Sequence, residues 1–308
     1  MAMMKIKFWG VRGSIPCPGP LTMKYGGNTA CIELRFPELN RLIIIDAGSG
    51  LRELGNYMMA HDLPNGPIKT EIYLTHTHWD HIMGFPFFTP LYIPGTKVKV
   101  CGPVSYEKDT LEKIVGGQLT YRYFPVREVE LGAEIKYFPL KEGSLDLGDG
   151  IKLTTKYLNH PILCLGYRFE YKDKVFCTAY DTEPFANVFV SDPQDPAYDE
   201  MMAEEGAQVA AEQNQAVENF IAGADLLIHD SQYTAAEYAA GKQGWGHSSI
   251  EFAIAQAKRA KVKSLALFHH EPIRTDDQYD ALADIYCQDG SADEPRIFFA
   301  REGMEIEL

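Results

Sequence analysis

The 308-residue chain is short of positive charge. It holds 29 lysines and arginines against 43 aspartates and glutamates, a formal net charge of −14. A field of that sign repels long polyanions wherever no local basic patch overrides it. The one basic cluster, Lys258, Arg259, Lys261 and Lys263, reads as the last turn of a helix, where cations favour the helix dipole. Long nucleic acid is therefore disfavoured as a partner. Apolar runs of membrane-spanning length are also missing, so no membrane partner is expected. The segment Met1 to Gly10 is too short and too charged for the apolar core of a signal peptide. Paired cysteine spacing is absent, because Cys17, Cys31, Cys101, Cys164, Cys177 and Cys287 are scattered. A chain of this size needs no disulfide staples, so reduced thiols and a cytoplasmic location are expected. No low-complexity stretch, internal repeat or linker divides the sequence. At 45% hydrophobic and 23% charged residues, the composition suits a globular protein with a sizeable core. One domain over 1–308 is expected, with an acidic insertion around 185–215.

Against these absences stands one dense segment, His76-Thr77-His78-Trp79-Asp80-His81. It follows the apolar run Ile72-Tyr73-Leu74-Thr75, which predicts a strand, and its aspartate suits the first turn of a helix. At a strand end His76 and His78 share a face, because alternate residues point the same way. Asp80 and His81 can enter the same space from the helix side. Neutral imidazole and carboxylate are ligands for borderline metals such as zinc. Four such groups in one turn suit two adjacent ions better than one.

Two ions need further ligands, and three later segments can supply them. His160 ends a predicted strand over Ile151–Asn159. Asp181 follows the apolar run Val175-Phe176-Cys177, and a carboxylate there could bridge both ions. His269 or His270 ends the strand Leu265–Phe268. Taken singly, each is an ordinary strand-end turn or surface residue. Together, behind the dense segment, they read as a ligand set.

The remaining pattern alternates strands and helices. Strands are predicted at Ile6–Trp9, Ala30–Phe36, Leu42–Asp46, Gly166–Tyr171, Lys174–Ala179 and Leu226–His229. Helices are predicted near Ala207–Ala222 and at Ser249–Ala260. Strands followed by helices in each half fit an α/β (α+β) architecture of two packed sheets with helices outside. The acidic residues Asp192, Asp195, Asp199, Glu200, Glu204, Glu205 and Glu212 read as a solvated helix, or as a lid or subunit contact over the metal site. Phe85, Phe87, Phe88 and Tyr92 could stack a base or pack a helix on the core.

The His-x-His-x-Asp-His pattern resembles the signature of the metallo-β-lactamase superfamily. That resemblance implies a four-layer αββα sandwich with a two-metal site on the strand edges, and it leaves the reaction open. Further segments resemble the tRNase Z-like and cyclic phosphodiesterase branch. These are Gly10-Val11-Arg12-Gly13-Ser14-Ile15-Pro16, Tyr25-Gly26-Gly27-Asn28-Thr29, Ile44-Ile45-Asp46-Ala47-Gly48-Ser49-Gly50, His160 through Arg168, Ala224 through Asp230, and Gly246-His247-Ser248-Ser249. In the segment ending at Asp230, aspartate stands where the branch usually has glutamate. The carry-over implies a metal-dependent hydrolase of phosphodiesters. In it His76, His78 and His160 hold one ion, Asp80, His81 and His269 hold the other, and Asp181 bridges them. Two divalent ions, zinc first and manganese or iron next, would acidify a shared water. His247 would stabilise the transition state or protonate the leaving oxygen, Asp230 would orient His247, and Asp46 would brace the ligands.

Substrate choice rests on a departure from the branch. The chain lacks the long basic, glycine-rich arm with which tRNase Z grips tRNA, and it is acidic. The leading expectation is therefore a small phosphodiester such as a cyclic nucleotide or cyclic phosphate. The alternatives are an RNA- or DNA-processing nuclease of the tRNase Z type and a metal-binding nucleotide sensor with weak turnover. Relatives in this branch often form homodimers.

Overall fold

A computed structural model describes residues 2–105, 109–291 and 293–308. Strands β1 to β6 (Lys5–Gly10, Cys31–Phe36, Arg41–Ile45, Lys69–Tyr73, Lys97–Pro103, Glu134–Leu140) form the first sheet. Strands β7 to β13 (Gly143–Asp146, Ile151–Leu158, Cys164–Tyr171, Lys174–Ala179, Leu226–Asp230, Ser264–Phe268, Arg296–Phe299) form the second. The last strand, β14 (Glu305–Glu307), returns to the outer edge of the first sheet beside β1. The spatial orders are β14-β1-β2-β3-β4-β5-β6 and β13-β12-β11-β10-β9-β8-β7. Each sheet is parallel over one block, β3 to β6 and β10 to β13, and antiparallel over the other.

Strand β1 alternates in burial, whereas β2, β3, β11 and β12 are buried on both faces, one toward the other sheet and one under the helices. Ile6, Phe8, Ile43 and Tyr73 meet Phe169, Phe176 and Phe268 in a fully buried layer between the sheets. The outer faces are covered by helices. Helix α1 (Leu51–His61) buries Leu51, Leu54 and Met58 on the first sheet. The short helices α2 (Trp79–Ile82) and α3 (Leu111–Val115) lie on the same side. Helices α4 (Glu200–Ile221), α6 (Ile250–Arg259) and α7 (Asp276–Tyr286) cover the second sheet through Val217, Phe220, Ala253 and Tyr279. The short α5 (Ala235–Ala239) precedes the loop that leads to α6. This is the expected αββα sandwich of the metallo-β-lactamase fold.

The acidic stretch resolves into two parts. Residues 192–198 are irregular, and α4 starts at Glu200 behind Asp199, whose side chain accepts from the Met202 amide at 3.0 Å. Only one edge of α4 is buried, at Ala203, Gly206, Val217, Phe220 and Ile221. Most of its carboxylates face solvent, and α4 is itself one of the covering helices. Among the described residues no helix is long and apolar enough to cross a membrane.

Strand direction sets the position of the site. Strands β4, β8, β10, β11 and β12 all end at one rim of the sandwich, and the next few residues there are His76, His160, Asp181, Ser231 and His269. The rim is tied across the two sheets by the Leu165 amide donating to the Thr75 carbonyl at 2.8 Å.

Candidate active site

The dense segment begins three residues after β4 ends, and His78 is the residue before α2. Asp80 and His81 occupy the first turn and are buried. The backbone there is packed too tightly for any side chain: a Cβ on Gly84 would sit 2.0 Å from the Gly48 carbonyl oxygen. That close approach, with the Gly84 amide donating to the Ala47 carbonyl at 2.8 Å, holds the end of α2 against the Ala47–Gly48 backbone.

Two groups of donor atoms lie side by side at this rim. His76, His78 and His160 offer ring nitrogens within 4.8 Å of one another. Asp80, His81, Asp181 and His269 do the same, and all four are buried. Asp181 Oδ2 sits between the groups, 3.7 Å from His76 Nε2, 3.3 Å from His81 Nε2 and 3.2 Å from His269 Nε2. His247 and Asp230 are within the same reach of Asp181 and His269. His269, with a positive φ of 61°, turns its ring into the cluster. His270 turns away into a box of Tyr25, Tyr279 and Phe299, where its Nε2–H donates to the Ala300 carbonyl at 2.7 Å.

Electrostatics separate the two groups. Burial pushes the pKa of His76 down, also that of His78, and that of His160 down to about 4. These three imidazoles are therefore neutral near pH 7, the form that binds a metal. In the second group, burial works against charge on His81, but Asp181, Asp80 and Asp46 outweigh it and push its pKa well up. Burial likewise opposes the charged forms of Asp80 and Asp181, and the surrounding imidazoles hold both below the usual carboxylate range. Among the described residues no lysine or arginine pairs with Asp46, Asp80, Asp181 or Asp230; histidines alone do. Buried carboxylates require a compensating positive charge. His81 Nε2 and Asp181 Oδ1 are both buried without a hydrogen-bond partner. A mixed imidazole and carboxylate set with orphaned atoms fits one or two borderline divalent ions.

No protein-family model matches the chain. Among curated proteins it is similar to the Ribonuclease Z of Lactococcus lactis subsp. lactis, 27% identical over 304 residues that cover 86% of this chain and 88% of the relative. It is also similar to the Ribonuclease Z of Shouchella clausii, 24% identical over 338 residues, covering 99% and 97%. Among solved structures it resembles the metallo-β-lactamase-fold protein YhfI from Bacillus subtilis, with a TM-score of 0.66, 18% identity and full coverage of both chains. The short form of human tRNase Z follows at a TM-score of 0.60, 19% identity and 98% coverage of each chain. Over most of its length the chain is similar to the tRNase Z-like branch of the metallo-β-lactamase superfamily. It is a metal-dependent hydrolase.

These relatives correct one expectation. Net charge disfavours a long nucleic acid as substrate, yet the curated proteins that the chain matches are named as ribonucleases. A net charge of −14 is a sum over the whole molecule. A large ligand responds to the field near the metals and along its own track, not to that sum.

In this metallo-β-lactamase-fold chain three of the candidate ligand imidazoles have their outward ring nitrogen held by a specific acceptor. His81 Nδ1–H donates to Asp46 Oδ2 at 2.8 Å, and His160 Nδ1–H donates to the Gly246 carbonyl at 2.9 Å. His269 Nδ1–H donates to Gln232 Oε1 at 3.1 Å, and the Gln232 amide is itself held by Glu271 at 2.8 Å. Each bond fixes a tautomer that leaves the other nitrogen free for a ligand role. Asp46, with a φ of +61°, also accepts from the Thr75 amide and hydroxyl at 2.7 and 2.9 Å. Asp80 accepts from the Ser14 amide at 2.7 Å, which ties in the Gly10–Pro16 segment. Gln232 and Glu183 gave no signal in the sequence, because neither lies in a run of ligand-type residues.

His247 caps the cluster. Its Nδ1–H donates to Asp230 Oδ2 at 2.8 Å, and its ring stacks on that of His269 with centroids 4.7 Å apart. Burial opposes its charge, but Asp230 more than offsets this and raises its pKa to about 9. A cavity of about 650 Å³ opens beside the site, lined by Thr77, Trp79, Phe87, Phe124, Gln118 and Arg52 among others. Of the aromatics that could stack a base or pack on the core, Phe85 and Phe88 take the second role and are fully buried under α1. Tyr92 donates its hydroxyl to the Pro86 carbonyl and packs on the same core. Only Phe87 reaches the cavity, and Trp79, at 71% exposure, joins it.

Proposed function

We propose that the chain is a dinuclear phosphodiesterase that cuts RNA, as its Ribonuclease Z relatives are named for doing. The observation that carries this reading is the pair of donor groups joined by Asp181, with the His247–Asp230 pair against them. His76, His78 and His160 would hold one divalent ion, and Asp80, His81 and His269 the other, with Asp181 between. Zinc suits these ligands first, and manganese or iron next. Bound ions would supply an acidified water and neutralise phosphate charge. The chain's own part is orientation and proton transfer. Asp46, Gln232 and the Gly246 carbonyl keep the ligand imidazoles in their binding tautomers. His247, protonated below about pH 9, would pass a proton to the departing ribose oxygen, with Asp230 stabilising its charge. Six free thiols support a cytoplasmic setting for this activity.

A second reading, hydrolysis of a small phosphodiester such as a cyclic nucleotide, is favoured by the cavity beside Trp79 and Phe87. Its size suits one nucleoside better than an RNA stem. One metal-reconstituted preparation separates the two. It is assayed on a precursor tRNA, on 2′,3′- and 3′,5′-cyclic nucleotides and on bis(p-nitrophenyl) phosphate, with its metal content measured. Cleavage of the tRNA supports the nuclease. Turnover of a cyclic nucleotide with the tRNA intact supports the second reading. Two metals per chain with every phosphodiester intact would overturn both, and thioesters and lactones would be tested next.

A further inference from the structure

Glu183 stands two residues after Asp181, with its carboxylate buried at 8% exposure. No lysine or arginine pairs with it among the described residues; three neutral donors converge on it instead. Oε1 accepts from the Tyr238 hydroxyl at 2.5 Å and from the Gly244 amide at 2.7 Å, and Oε2 accepts from the Gly246 amide at 2.9 Å. Its own amide donates to the Asn159 carbonyl at 2.9 Å, on the residue before His160. The loop it grips, from Gly241 to His247, has no helix or strand of its own. Gly241, Gly244 and Gly246 there take φ values of +123°, +79° and +83°, which side chains disfavour. At Gly246 there is also no room, since a Cβ would lie 2.4 Å from His160 Nδ1. The Gly246 carbonyl accepts from His160 Nδ1–H, and the next residue is His247.

We propose that Glu183 is a positioning residue that sets His160 and His247 together, by holding the Gly244–Gly246 backbone against the end of β8. Resting on the phosphodiesterase reading, this makes one buried carboxylate responsible for a metal ligand and for the proton donor. The geometry requires an acceptor at both oxygens. Glutamine has nearly the same shape but turns an NH2 toward either the Gly246 amide or the Tyr238 and Gly244 donors. Donor then faces donor, and a buried N–H loses its partner.

The test compares wild type with Glu183→Gln, Glu183→Asp and Tyr238→Phe. Zinc content and zinc affinity are measured by competition with a chromophoric chelator. Turnover is measured on bis(p-nitrophenyl) phosphate and on a phosphodiester with an alkoxide leaving group. Glu183→Gln is expected to weaken one of the two zinc sites about tenfold or more, the scale of losing a group that orients a ligand. It should also cut turnover of the alkoxide ester several-fold more than that of the aryl ester, which needs no acid. Glu183→Asp, which keeps the acceptors, should lie between the two, and Tyr238→Phe, which removes one donor of three, should shift both readouts the same way by less. The proposal is overturned if folded Glu183→Gln matches wild type in zinc affinity, or if it loses both esters equally. Should Glu183→Gln fail to fold, Tyr238→Phe decides by the same two criteria. If wild type cleaves no phosphodiester, the functional reading has failed, and the zinc measurement still judges Glu183.

Discussion

Asp46 accepts a hydrogen bond from His81 at 2.8 Å, with both side chains wholly out of solvent. The aspartate lies 35 residues earlier in the chain and belongs to the neighbouring parallel strand's end. It is saturated by that bond and two from Thr75. In Asp46→Asn one position would carry an NH2 against an existing donor. The ring of His81 would then lose its reason to keep the proton on Nδ1. The expected result is a loss of about 10- to 100-fold in metal affinity or activity, with destabilisation of about 1–3 kcal/mol from the mispaired group. Metal titration and denaturant unfolding of the variant measure the two separately. A variant with wild-type metal affinity would remove Asp46 from the site.

His247 gives a pH dependence of stated sign. Its pKa is raised to about 9 by Asp230 against the effect of burial, so the proton-donating form dominates below that value and is lost above it. Turnover of an ester with a poor leaving group should stay level up to about pH 9 and then fall about tenfold per unit. Asp230→Asn should move the fall to lower pH, and His247→Ala should abolish it while sparing an activated aryl ester. A falling limb that survives His247→Ala would assign it to another group.

Removing metal should cost stability as well as activity. Among the described residues, Asp80 and Asp181 are buried with only histidines as charged partners. A chelated preparation should therefore melt several degrees below the reconstituted one, since a ligand bound only by the folded state stabilises it. Differential scanning calorimetry before and after zinc addition reads this directly. Equal melting temperatures together with restored activity would mean that the apo cluster is already balanced by protons. Asp80→Ala should abolish turnover while the fold survives.

Gly13 offers a change that reaches the site through space alone. A Cβ on Gly13 would meet His269 at 2.3 Å, whereas one on Gly19 would meet nothing within 4 Å. Gly13→Ala is expected to displace the His269 ring and weaken the second ion at least several-fold, and Gly19→Ala to be neutral in zinc affinity. Matching affinities for the two variants would show that the ring has somewhere to go.

The sequence revealed most where chemistry was concentrated locally. Residues 76–81 announce themselves because ligand-type side chains crowd one turn, and strand ends at His160, Asp181 and His269 carry apolar runs in front of them. Strand β4 was less legible: its run reads to Thr75, but pairing starts at Lys69 with β5 and at Glu71 with β3, and stops at Tyr73. Strand β5 alternates lysine with valine, and β6 to β7 are mostly exposed, so hydrophobic contrast hides them. Helix α1 starts directly behind Gly48-Ser49-Gly50, which reads as a turn. The aromatic residues after the motif were ambiguous because stacking on a ligand and packing on a core ask for the same side chain. Glu183 and Gln232 act across 55 to 63 and 37 positions of sequence respectively, a distance no local pattern records.

Each donor group draws on both halves of the chain, with 189 positions between Asp80 and His269 and 82 between His78 and His160. Neither half-chain owns a complete site. Contacts of such long sequence separation form late, after the loops between them have been closed. A newly made chain would thus complete neither ligand set until the sandwich has shut. Metal uptake would then serve as a clock for the final docking step, and a cell would hold no partly folded hydrolase capable of cutting.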